Sequence, residues 1–284
     1  MTTTTTMTKE MKMTKEELIK SFLGSEKAAA IEYMMAHREE LRNNGIFINE
    51  NADNGTIFAF GNARVYANGN AKVYAHDDAE VFAYDNAEVF AYDIAEVYAH
   101  AEAKVEAHGF ARVYADGHAS VKAYEYAMVE AFDHVSVSAF DTAKVGTYGN
   151  AKVFAFDTAD VSAYDEVKVD AYDHTKVFAD DHAEVSAYDE VKVDAYDHTK
   201  VCAFDTADVS AYDEVKVDAY NHAKVDAYDK AKVEAHGKAE VSARAHSKVE
   251  AHDNAKVSAR AHSKVEAHAE AEVSVHDEAE CRRM

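Results

Sequence analysis

Small apolar residues alternate with polar or aromatic ones along most of the chain, and the alternation is interrupted at every eighth residue. Typical copies are "AEVFAYDN" at 79, "AKVFAFDT" at 151 and "VKVDAYDH" at 167. From Gly55 to Glu278 there are 28 such octads in succession, without insertion or deletion. Position three is Val in 27 of them and Ile57 in the first; position five is Ala except at Thr147 and Val275; position one is mostly Ala. Positions two, four and six carry Lys, Glu, Asp, Ser, Tyr, Phe and His. A period of two belongs to a strand, whose successive side chains face opposite ways, and not to a helix. Position seven is Asp or Gly in most copies, followed by Asn, His, Thr, Glu or Asp, residues that accept positive φ or bond their own backbone. Each octad therefore predicts a short strand and a tight corner, and the array predicts an all-β fold, a β-solenoid or β-helix.

Packing decides the expected coil. Three octads would enclose a triangle with edges of roughly 20 Å, at about 3.3 Å per residue, and Ala and Val cannot fill its centre at normal packing density. Two octads bring Val and Ala of facing sheets into direct contact, so a 16-residue, two-sheet coil is expected over a 24-residue triangular one. The sequence holds near-copies at both spacings: residues 159–182, 183–206 and 207–230 repeat at 24, and 239–254 and 255–270 repeat at 16.

The segment before the array has a helical pattern. Thr14 and Glu17 form a capping box ahead of Leu18, Ile19, Phe22 and Leu23, and Gly24 stops that helix. A second helix is expected from about Glu26 to Asn43, with Ile31, Met34, Met35 and Leu41 on one face and Asn44-Gly45 closing it. The organisation read from these signals is a disordered Thr-rich tail over 1–13, a helical N-terminal cap over 14–54 and the solenoid over 55–284. The last residues, "AECRRM", carry no recognisable cap, which predicts end-to-end homo-oligomers through the C-terminal coil.

Position six is Tyr or Phe in 16 octads and His in seven more. With 16 residues per coil, Tyr124, Phe140, Phe156, Tyr172, Tyr188, Phe204 and Tyr220 form one aromatic ladder. Phe132, Tyr148, Tyr164, Tyr196, Tyr212 and Tyr228 form another, interrupted at Asp180. Neighbours in such ladders stabilise a thin solenoid by roughly 0.2–1 kcal/mol per pair. Position four is also aromatic early in the array, and the candidate interaction face is placed there, at Phe58, Tyr66, Tyr74, Phe82, Phe90, Tyr98 and Tyr114, together with Tyr84 and Tyr92.

Composition narrows the function. The 284 residues include no Pro and no Trp, and 53 acidic against 30 basic residues give a formal net charge of -23. Absence of Pro fits strands in which every N–H is needed for a ladder. Position two is net basic, with 16 Lys or Arg against eight Asp or Glu, and pairs such as Lys168 and Asp170 recur on the strand surface. The net acidity, spread over coils about 4.8 Å apart, amounts to one charge per roughly 3 Å, near half the axial density of duplex DNA. Direct nucleic-acid or membrane binding is not expected, and the expected partner is a protein, basic where charge drives the contact. Cys202 and Cys281 form neither a disulfide framework nor a metal-ligand spacing. The columns His236/His252/His268 and His246/His262 are read as exposed His in slots otherwise held by Tyr, so no metal or other cofactor is expected; protonation of the 16 histidines predicts lower solubility near pH 5. There is no phosphate-binding glycine loop, no nucleophile with a positioned base and no distinct carboxylate pair, so no enzyme is expected. Without a signal-peptide pattern or a membrane span, a cytoplasmic location is expected.

The octad resembles that of uncharacterised tandem A-x-V-x-A-x-[DG]-x proteins of bacteria and their phages. In period the array is also similar to the bacterial ice-nucleation repeats, which implies a 16-residue coil; the Thr-x-Thr pair on which that family's ice organisation depends is replaced here by Lys or Glu at position two and Tyr, Phe, Ser, Asp or Glu at position four. The functional expectation is a non-catalytic acidic repeat protein, a structural scaffold or protein-interaction module acting through exposed aromatic and charged ladders. The alternatives are an acidic nucleic-acid mimic inhibiting a DNA- or RNA-binding protein and, as a minor one, an ice-binding surface.

Overall fold

Each octad contributes one four-residue strand from its positions two to five, and consecutive strands fall on opposite sides of a flattened parallel solenoid. The structure is a computed structural model and describes residues 13–268 and 270–284. One sheet has 16 strands, beginning with Ile46–Ile48 and Thr56–Ala59, and the other has 14, beginning with Arg64–Ala67. Register fixes the coil at 16 residues: Val73 pairs with Val89 in the long sheet and Val81 with Val97 in the short one. The triangular 24-residue coil is thereby excluded.

Positions one, three and five point inward and are almost fully buried, as at Val167, Val169 and Ala171. Val and Ala suffice because the two sheets face each other directly, without a central void to fill. Among the polar residues found inside, Thr175 and Thr199 donate to Tyr172 O and Tyr196 O at 2.7 Å, whereas the hydroxyls of Thr56, Ser247 and Ser263 have no hydrogen-bond partner.

The corners follow from position seven. Its residue adopts left-handed φ, 61° at Asp77 and 59° at Asp157, and a turn closes when the next position-one N–H reaches the position-six carbonyl, as in Ala87 N–H to Tyr84 O at 3.1 Å. At Gly69, with φ +59, a Cβ would lie 2.4 Å from Asp53 O, so this corner accepts only glycine. The Asp side chains tie successive corners together. Asp141 N–H donates to the Asp157 carboxylate at 3.2 Å, and Asp157 N–H to that of Asp173 at 3.3 Å. Most other corner donors are used in the ladder as well, for example Tyr84 N–H to Ala67 O at 2.9 Å and Asn86 N–H to Gly69 O at 3.0 Å. A proline at any of these positions would delete a rung.

The N-terminal segment forms three helices, α1 (Lys15–Phe22), α2 (Lys27–Ala36) and α3 (Arg38–Asn43). The capping box is present, with Glu17 N–H on Thr14 Oγ1 at 3.2 Å and Thr14 N–H on the Glu17 carboxylate at 2.7 Å. The single second helix expected to Asn43 is instead divided at His37, whose backbone leaves helical geometry (φ -114, ψ 21) while its ring sits 2.9 Å from Tyr33 O. The expected apolar face is only partly covered: Met34 and Leu41 are buried, Ile31 is half-buried, and Met35 is exposed. Asn44 and Gly45 close α3 as expected, through Asn44 Nδ2 to Glu40 O at 2.8 Å and Gly45 N–H to Arg42 O at 3.0 Å with φ +73 at Gly45. Met13 belongs to this unit, since its N–H donates to the Tyr33 hydroxyl at 3.2 Å. The rest of the expected Thr-rich tail, 1–12, lies outside the described residues.

The open end of the first coil is covered by extended chain more than by helix. Phe47 pairs with Ile57 and faces the solenoid core, while Ala52 N–H bonds Tyr66 O at 3.1 Å on the other sheet. The helices lie on the outer face of the long sheet, packing Leu18, Phe22 and Met34 against Ile46, Ile48, Phe58 and Tyr74. At the far end Val275 and Glu280–Arg283 are exposed. No helix among the described residues is long and apolar enough to cross a membrane.

Candidate interaction surface

Position six follows directly after the strand, so its ring stacks at the lateral edge of the coil on the equivalent ring 16 residues away. The ladder expected from Tyr124 to Tyr220 forms and extends in both directions. It runs through thirteen rings, from His76, Tyr92 and His108 to His236, His252 and His268, with neighbouring centroids 4.6–5.1 Å apart. Phe22 of α1 meets His76 edge-on at 4.8 Å and ends it. Apart from buried His76 these rings are half-buried, so their geometry serves packing within the stack.

The second ladder is less regular. Phe132, Tyr148 and Tyr164 stack at 5.1–5.2 Å, and Tyr196, Tyr212 and Tyr228 at 4.8 Å. The expected gap at Asp180 is bridged from position four: Phe178 lies 5.8 Å from Tyr164 and 5.1 Å from Tyr196. Beyond Tyr228 the stack continues as a cation–π contact from Arg244 at 5.1 Å.

The face expected at position four does not hold together as one surface. A period of eight with a coil of 16 sends alternate octads to opposite sheets. Phe58 and Tyr74 are buried beneath the helices and Phe90 lies half-buried at their rim. Tyr92 is part of the first ladder, and Tyr84 sits on the other edge against His100 at 5.0 Å. Tyr66, Phe82, Tyr98 and Tyr114 remain together, stacked at 4.8–5.2 Å on the outside of the short sheet. Tyr98 donates to Glu96 at 2.8 Å, and that bond to a carboxylate pushes its phenol up to about 12.

Beside this column lies an apolar strip that reading positions four and six alone overlooks. Ile94, Phe110 and Tyr126 occupy position eight of three successive coils and are 55–60% exposed, with Met128 next to them at 47%. Phe110 and Tyr126 stack at 5.1 Å, 9° from parallel. With Asp78, Glu96 and Arg112 they line a shallow groove. The sequence signal was present: position eight is apolar or aromatic only at 94, 110 and 126, which are 16 apart.

Part of the charged surface is paired from coil to coil. Lys168 and Lys200 both reach Glu184, at 3.0 and 3.1 Å, and their hydrogen bonds hold its carboxyl below the usual range. Lys72 pairs with Glu88 at 3.1 Å and Arg64 with Glu80 at 2.6 Å. Cys202 is half-buried, and burial pushes its thiol up, away from a reactive thiolate. Two groups of potential ligands come together among the described residues, Glu250 with His252 and His268, and Asp180 with Asp181 and Asp197. No family model, no curated protein and no solved structure matches this chain.

Proposed function

We propose that this protein is a non-catalytic scaffold that captures a protein partner on the short-sheet face between residues 66 and 128. The exposed strip Ile94–Phe110–Tyr126 with Met128 carries this reading. The other large-side-chain columns are covered by the helices or stacked ring on ring, with no Phe or Tyr above 39% exposed against 55–60% for Ile94, Phe110 and Tyr126, and a contiguous exposed apolar patch rimmed by charge is the usual mark of a protein contact. Asp78 and Glu96 outnumber Arg112 along the groove and favour a partner with basic residues around an apolar centre.

The acidic-mimic reading draws on the same net charge, but the corner carboxylates bond backbone N–H groups and many strand carboxylates are paired with Lys or Arg. Pull-downs from host lysate with the wild type and with a Phe110→Ser/Tyr126→Ser/Met128→Ser variant separate the two, each washed at low and high salt. Capture that survives salt and is lost in the variant supports the apolar strip. A nucleic-acid-binding protein retained equally by both and released by salt overturns it in favour of mimicry.

A further inference from the structure

The last histidines of the first ladder do more than stack. Glu-x-His recurs at 16-residue spacing as Glu234/His236, Glu250/His252 and Glu266/His268. His252 and His268 stack at 4.6 Å, and the Glu250 carboxylate turns toward both, with Oε1 3.4 Å from His252 Nε2 and 3.2 Å from His268 Nε2. The three ligand atoms all lie within 4.8 Å of one another. His268 Nε2 is closed off from solvent and, although near Glu250, has no aligned hydrogen bond. A flat histidine ladder by itself offers one nitrogen per rung; Glu250, at position four of the His252 coil, supplies the convergence.

We propose that Glu250, His252 and His268 form a binding site for a divalent transition-metal ion of the zinc class, with the fourth position open to water. Donors bound tetrahedrally at about 2.0–2.1 Å are roughly 3.3 Å apart, which matches both carboxylate–imidazole separations. Rotation of the two rings brings their nitrogens onto the same ion. Two imidazoles and one carboxylate suit Zn2+, Ni2+ or Cu2+ and not the all-oxygen shells of Mg2+ or Ca2+. Because the ligands come from successive coils, bound metal pins the coil of His268 to that of His252.

The test is calorimetric titration of the metal-free full-length protein with ZnCl2 alone, alongside CoCl2 followed by visible absorption. One equivalent with a tetrahedral Co2+ spectrum is expected, with greater amide protection over 248–268. Glu250→Gln and His268→Tyr should each weaken binding at least about tenfold, while His222→Ala leaves it unchanged. Tyr occupies the same ladder slot at Tyr188, and circular dichroism confirms folding; Glu250→Gln, an isosteric change on the outer face, keeps the test valid if the Tyr variant misfolds. Undetectable zinc binding, or the same stoichiometry and affinity in Glu250→Gln as in the wild type, overturns the proposal.

Discussion

The corner at Asp157 separates three contributions that act together throughout the array. Its side chain accepts from Asp141 N–H at 3.2 Å, its backbone sits at φ 59°, and its charge stands in a column with Asp141 and Asp173 one coil away on either side. Asp157→Ala loses the acceptor, worth about 1 kcal/mol at an exposed corner, and places a residue without local side-chain bonding in left-handed geometry at a further cost of about 1 kcal/mol. Asp157→Gly removes the strain but not the loss of the bond, so about 1 kcal/mol is expected. Asp157→Asn keeps the acceptor oxygen and the tolerance of positive φ while relieving repulsion along the column, and should fall within about 0.5 kcal/mol of the wild type. Because a solenoid responds locally, hydrogen exchange is the sensitive assay. The Asp141 amide should exchange faster in the Ala and Gly variants, at unchanged rate in Asn, and the Glu125 amide, bonded to the Asp141 carboxylate at 3.1 Å, should stay protected in all three. Should Asn cost as much as Ala, charge and not the acceptor would be holding the corner, and the reasoning would fail.

Two further outcomes follow from the packing. His76 is buried between Phe22 and Tyr92, and burial, partly offset by its bond to Asp93 at 3.0 Å, lowers its pKa. The unfolded chain therefore binds the extra proton first, and stability of the helix contact should fall as pH drops through about 6.5; Lys27, Asp77 and Asp93 face the ring, and the two carboxyls, held low by Lys27 and neighbouring donors against burial, contribute only in more acid solution. Limited proteolysis of residues 14–45 between pH 7.5 and 5.5 should show loosening in the wild type and much less in His76→Phe; equal sensitivity would refute the assignment. Phe178→Ala should reopen the gap at Asp180, lose two ring contacts worth about 0.5–1.5 kcal/mol each and raise exchange in the strands at 160–163 and 192–195, whereas exchange indistinguishable from the wild type would show that Phe178 does not bridge the ladder.

The repeat was legible because an eight-residue unit leaves little freedom: Val and Ala at three inward positions dictate a thin two-sheet core, and Asp or Gly at position seven dictates the turn. The break at His37 was not legible, since α2 and α3 share a continuous helical pattern and the bond from His37 to the Tyr33 carbonyl depends on a ring orientation. The bridge at Phe178 was hidden for a similar reason. A residue at position four ordinarily stands on the sheet face, and it leans to the edge only where Asp180 leaves a ring missing. Splitting of the expected position-four face was in principle derivable, because a coil of two octads must alternate the octads between sheets. Covering of Phe58 and Tyr74 was not, because helix propensity gives no docking site.

Most of the aromatic content and part of the charge are consumed by the fold. Among the described residues nine corner N–H groups, including those of Gly61, Gly149 and Gly237, donate to a carboxylate one coil along, and thirteen rings of the first ladder are spent on one another. What remains for a partner is whatever departs from the repeat. Ile94, Phe110 and Tyr126 depart from it by placing apolar groups where other coils carry polar ones, and nothing in the fold requires them there: the same corner closes with Asp at 78, Thr at 142 and Thr at 158. Exposed apolar area without a structural use lowers solubility, so a column of three such residues in register is better explained by a contact than by packing.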